Sequence, residues 1–138
     1  MAIKQLSIFV ENKTGSLVKA TEVLAEAGVD LRAMSIADTR DFGILRIIVN
    51  DTYAAVTALK DNGFVVNMTD VVGCVMADKP GAAGEMFAAL AEAGIAIKYM
   101  YGFAGKNEAY AILRVDDNTL TEKILISKGI KLLIPERL

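Results

Sequence analysis

The sequence predicts an α+β fold: one β-α-β-β-α-β unit written twice, with antiparallel sheets and helices on one face. Three observations predict it. "LAEAGVDLRAM" at residues 24–34 returns as "LAEAGIAIKYM" at residues 90–100. Sliding the chain by 66 positions (90 − 24) aligns it with itself without a gap from Gln5 to Leu138. In each copy, apolar residues at helical spacing alternate with extended apolar runs, and glycines stand at the joints. The period is too long, and two copies too few, for a stacked solenoid. The reading is a duplicated small domain, 1–69 and 70–138.

The elements follow in order. An extended run opens each copy, at residues 6–10 and 71–76. A glycine turn comes next, "NKTGS" and "DKPGA". The first helix is expected over 16–27 and 82–93, where Leu17, Ala20, Val23, Leu24 and Ala27 recur at helical spacing. Gly28 and Gly94 stand just past its end, where a left-handed residue closes a helix. A second strand is expected at 29–36 and 95–102, then the hairpins "ADTRDFG" and "AGKNEA". A third strand covers 44–49 and 110–115. Asp51/Thr52 and Asp117/Asn118 are cap residues for a second helix, ended by Gly63 and Gly129. Last strands fall at 64–68 and 130–134. This order is the split-βαβ, ferredoxin-like arrangement. Only Thr69 and Asp70 are polar between the copies, so the sheets are expected side by side, eight strands in all.

In the third strand, Leu45, Ile47 and Val49 alternate with Ile44, Arg46 and Ile48. The second set, with Tyr110 and Ile112 of the other copy, places apolar surface on the face away from the helices. Such surface predicts at least a homodimer.

Composition narrows the function. Apolar residues make up 54% of the 138, enough for a core, and the net charge of −2 offers no footprint for nucleic acid. No apolar run reaches membrane-spanning length. The N-terminus does not read as a signal peptide. The single cysteine, Cys74, permits no intrachain disulfide and fits a cytoplasmic protein. Its apolar neighbours make it an inert buried thiol. Histidine is absent, which removes the commonest general base and metal ligand. No catalytic residue, metal site or cofactor is assigned. An enzyme using carboxylates of the "DTRD" turn, Asp38–Asp41, ranks below a binding protein, because adjacent charges in a hairpin usually form a solvated turn.

The turns carry a more specific signal. A first strand, Asn or Asp, then Pro-Gly at a helix start, then "LAEAGI", resembles the ACT domain. Two copies fill the chain, which is thus similar to a stand-alone tandem ACT protein. Thr14 stands for the usual Pro and Asp30 for a frequent Asn; Ala83 and Ala96 depart in the second copy. The resemblance implies amino-acid sensing and allosteric control of a separate enzyme, with ligand between the first loop of one domain and strand two of its partner. Carried onto this chain, the ligand groups are Asn12, Lys13, Thr14, Gly15, Ser16 and Leu17 with Ala96 and Ile97, and Asp78, Pro80, Gly81, Ala82 and Ala83 with Asp30 and Leu31. The glycines admit close backbone approach. The helix N-terminus suits a carboxylate, and Asn12 or Asp78 an ammonium. Asp30 adds a second acid to the Asp78 site, so the Asn12 site is favoured, for a neutral amino acid with an apolar or aromatic side chain. Two alternatives stay open: Asn12 and Asp78 simply cap their helices, or the protein is an oligomerisation subunit that binds no ligand. Tyr99, Met100, Tyr101, Phe103 and Tyr110 line either a side-chain pocket or an interface.

Overall fold

A computed structural model of the protein describes residues 2–38 and 41–138, the side chain of Arg137 excepted. The elements are β1 (Ile3–Glu11), α1 (Ser16–Glu26), β2 (Leu31–Asp38), β3 (Phe42–Val49), α2 (Thr52–Asp61), β4 (Val65–Ala77), α3 (Ala82–Glu92), β5 (Tyr99–Ala104), β6 (Glu108–Arg114), α4 (Asn118–Ser127) and β7 (Lys131–Leu132). A 3-10 turn, Pro135–Arg137, follows. The fold is α+β with antiparallel strand pairs and four α-helices. Two compact units divide it, Lys4–Thr69 and Asp70–Leu138, with the start of the chain through Ile3 assigned to the latter.

Among the described residues the strands number seven, not the expected eight. The strands expected at 64–68 and 71–76 are one strand, β4. No Gly or Pro stands at 64–70 to break the extended backbone, and Thr69 and Asp70 continue it within the strand. Neighbours in the first unit run β2-β3-β1-β4, and in the second β5-β6-β4-β7. The residues 39 and 40 of the expected Asp38–Asp41 turn lie outside the described residues.

Each unit has its own core. In the first, Leu6, Ile8 and Val10 of β1 and Leu45, Ile47 and Val49 of β3 close on Ala20, Leu24, Ala55 and Leu59 of the helices. Alternation along the strands puts these residues on one face. In the second, Val72, Cys74, Ala111 and Leu113 meet Met86, Leu90 and Leu125. On the opposite strand face Ile48 and Ile112 are only 3% and 5% exposed, whereas Phe9, Phe42 and Phe103 are 38%, 51% and 58% exposed.

Two strands fall short of their expected length. Residues 95–98 are not strand, and β5 begins at Tyr99. Ile95 and Ile97 pack on the core of the second unit instead, so their alternation records burial without pairing. β7 has two residues, and after two more residues Pro135 opens the 3-10 turn. Proline lacks the N–H that a ladder needs.

The Cys74 thiol donates to Met86 Sδ at 3.3 Å and is fully buried. Burial pushes its pKa from 9.0 up to about 11. The sign of the consequence follows from linkage: above pH 9 the unfolded chain releases this proton while the folded chain holds it. Stability is whole below pH 9 and is lost as pH rises towards 11. The loss should approach about 2–3 kcal/mol at 1.4 kcal/mol per pKa unit. Urea denaturation at pH 8 and pH 10.5 should show most of that difference in the unmutated protein and little of it in Cys74→Ala.

Candidate functional site

The two first-helix turns are built alike. In the first unit, the Lys13 amide donates to Glu11 O at 2.9 Å and the Ser16 amide to Lys13 O at 3.3 Å. This curls the chain through Asn12–Gly15. Gly15 then takes a φ of 89°, in the left-handed region, and α1 starts at the next residue. In the second unit the Ala82 amide donates to Lys79 O at 3.3 Å, and Gly81 has a φ of 90° before α3. A β-carbon at Gly15 or Gly81 would meet nothing within 4 Å, so both turns face open space.

The helix starts separate the turns from the rest of the fold. Asp51 caps α2, its Oδ1 accepting from the Ala54 amide at 3.1 Å. Asp117 caps α4 in the same way, accepting from Leu120 at 3.0 Å. No side chain caps α1 or α3. Asn12 and Asp78 stand three residues before their glycine caps and stay exposed, so the capping alternative fails for both. The first amides of α1 and α3 keep donors that no side chain uses, at the positive end of the helix dipole. An acceptor bearing negative charge fits there.

This contrast carries a stability prediction. Asp117→Ala should cost about 1 kcal/mol, the usual worth of an N-cap. Asn12→Ala and Asp78→Ala should stay within about 0.5 kcal/mol, as exposed substitutions do. Urea midpoints at constant slope measure all three.

The other expected site residues are placed as follows. Thr14 and Leu17 are exposed, and Leu17 begins the apolar side of α1. Ser16 Oγ is buried and makes no hydrogen bond; its counterpart Ala82 has no hydroxyl. Pro80 and Ala83 are exposed on the second turn. The Asp30 amide donates to Asn50 Oδ1 at 2.9 Å, and its carboxylate pairs with Arg32 at 3.4 Å. That cation offsets the charge expected to conflict with Asp78. Leu31 opens β2 opposite Val49. Ala96 is exposed, whereas Ile97 turns towards the core. Of the aromatic cluster, Phe103 and Tyr110 face each other across β5 and β6 with ring centres 5.2 Å apart. Lys13 is not idle: its ammonium lies 2.6 Å from Glu11 and holds that carboxyl below its ordinary pKa.

Residues beyond those expected surround a groove in the second unit. It has a volume of about 460 Å³ beside Lys79 and Ala82, and runs along α3 to Lys128 and Ile130. The signal for it lay in differences between the copies, which a search for matches passes over. Among the described residues no group of acids, cysteines or histidines is arranged to hold a metal, and no helix is long and apolar enough to cross a membrane.

Comparison with known proteins agrees with the architecture. Protein BT0572 from Bacteroides thetaiotaomicron has a solved structure with a TM-score of 0.92 and 47% identity, covering 96% of this chain and 92% of its own. The regulatory subunits of aspartate kinase from Thermus thermophilus (ligand-free form) and Thermus flavus give TM-scores of 0.69 and 0.66. Each is 16% identical and covers 90% of this chain, with 91% and 90% of its own length matched, a likeness of fold. No curated protein matches. A family model described as an ACT domain pair matches residues 1–138, and the chain belongs to that ACT domain family.

Proposed function

We propose that the protein is a regulatory module that binds a free amino acid at its first-helix turns and acts on a separate protein, without chemistry of its own. One observation carries this reading. The two helices that follow the glycine turns are uncapped, while the other two helices are capped by aspartate. A fold that caps half its helices and leaves the same half of each copy open has kept amide donors for something else. An α-carboxylate matches those donors in charge and geometry. Membership of the ACT family supports the reading, and two proteins sharing the fold are named as regulatory subunits of a kinase. The partner is by this reading an enzyme, and the protein works as a homodimer or larger assembly.

The first turn is the stronger candidate. It offers Ser16, whose hydroxyl lacks a partner, where the second turn has Ala82. Asn12 receives an ammonium without adding charge. The test is a thermal-shift and calorimetric screen against the proteinogenic amino acids. A ligand at a hundredfold excess over its Kd should stabilise the protein by about 2.7 kcal/mol. No shift with any amino acid would overturn the reading and leave an oligomerisation subunit in its place.

A further inference from the structure

The copies differ where the groove lies. Position 23 is Val in the first unit, and its counterpart is Ala89; Phe64 becomes Ile130, and Glu22 becomes Ala88. Val23 and Phe64 pack against the first unit's core. Their smaller replacements line the groove of about 460 Å³ in the second unit. Removing side-chain volume from a packed flank leaves a hollow unless the backbone follows. The turn and helix themselves are retained: Gly15 and Gly81 agree in φ to one degree, and both first helices have 11 residues.

Charge changes at the same place. In the first unit Lys13 is tied to Glu11. The counterpart of Glu11 is Ala77, so Lys79 loses that partner. The counterpart of Lys19 is Glu85, a reversal of sign. Among the described residues no ion pair or side-chain hydrogen bond engages Lys79 or Glu85. Both line the groove, above a floor that includes Met76 and Ile130. Glu92 and Lys128 at the far end are spent on each other, 3.9 Å apart.

We propose that this groove is a second binding site, lying wholly within residues 70–138 and taking a small zwitterion: an α-amino acid with an apolar side chain. Lys79 receives the carboxylate, Glu85 the ammonium, and the hollow left by Ala88, Ala89 and Ile130 takes the side chain. The volume falls in the range of small-molecule pockets. The site adjoins the second glycine turn through Lys79 and Ala82 and is distinct from the first turn, the one the proposed function favours.

The test uses the full chain with labelled Ala, Met and Ile methyl groups, titrated with each apolar proteinogenic amino acid and followed by NMR. At least one should move the Ala88, Ala89 and Met76 methyl signals saturably. Its amide and its N-acetyl form, each lacking one charge, should bind about tenfold more weakly or worse, as the loss of one charge-assisted bond implies. Two variants fill the groove with residues the first unit already carries there, Ala88→Glu and Ile130→Phe. Either should abolish the methyl shifts, and Ala88→Glu sits at an exposed helical position that does not disturb folding. Gly15→Val should leave the shifts intact, which separates this site from the first turn. Three results would each overturn the proposal: groove methyls unmoved by every apolar amino acid at millimolar concentration, shifts undiminished in Ala88→Glu, or equal affinity for the amide and the N-acetyl form.

Discussion

Gly73→Ala is expected to destabilise the protein by about 1–3 kcal/mol, the range for overpacking a filled core. Gly73 lies in β4 and is buried. A β-carbon built there would stand 2.5 Å from Ile3 Cδ1 and 2.9 Å from Leu133 Cβ. The Ile3 contact is with the end of a flexible side chain, which can swing. The Leu133 contact is with an atom fixed to the backbone, and its amide donates to Gly73 O at 2.8 Å. That bond clamps the segment against β4, so Leu133 cannot retreat without breaking it. Denaturant unfolding of Gly73→Ala, Ile3→Val and the double variant measures the coupling. Ile3→Val should recover part of the loss and not all of it. A Gly73→Ala protein as stable as the original would show that this segment is not held.

Gly15→Val should abolish amino-acid binding at the first turn while leaving the protein folded. Gly15 has a φ of 89°, and nothing lies within 4 Å of a β-carbon built there. The protein itself therefore does not obstruct a side chain. The cost to stability is backbone strain alone, about 1–3 kcal/mol for a residue forced into this region. What the valine fills is the open space before the free amides, where a carboxylate must come within hydrogen-bond distance. Gly15→Asn separates the two effects, because asparagine tolerates left-handed backbone. It should fold with little penalty and still bind more weakly. Calorimetry on both variants decides: undiminished affinity in folded Gly15→Val would remove the ligand from this turn.

Much of the fold was legible in local signals. The caps Asp51 and Asp117 were visible because an acceptor before an apolar periodic run has one common use. Gly28, Gly63, Gly94 and Gly129 closed helices as expected, each at positive φ. The starts of α1 and α3 were placed to the residue. The extent of strands was less legible. Ile95 and Ile97 alternate like a strand but serve the core, since alternation reports which side is buried and not whether a neighbour is paired. The merging of two expected strands into β4 followed from an absence of Gly and Pro, a weaker signal than their presence.

The sequence by itself determined the duplication, the order of helices and strands, and the two glycine turns, because each is written in contacts between residues close along the chain. It did not decide which polar residue stays unpartnered. It left open whether Asn12 and Asp78 cap their helices, and neither does, for no side chain caps α1 or α3. It did not decide that Ile48 and Ile112 are buried, because burial depends on neighbours distant in sequence. Nor did it show that Ala88, Ala89 and Ile130 leave a hollow. Only the tertiary structure shows the glycine turn and first helix alike in both units while the side chains beside them shrink, with a groove along α3 in the second unit.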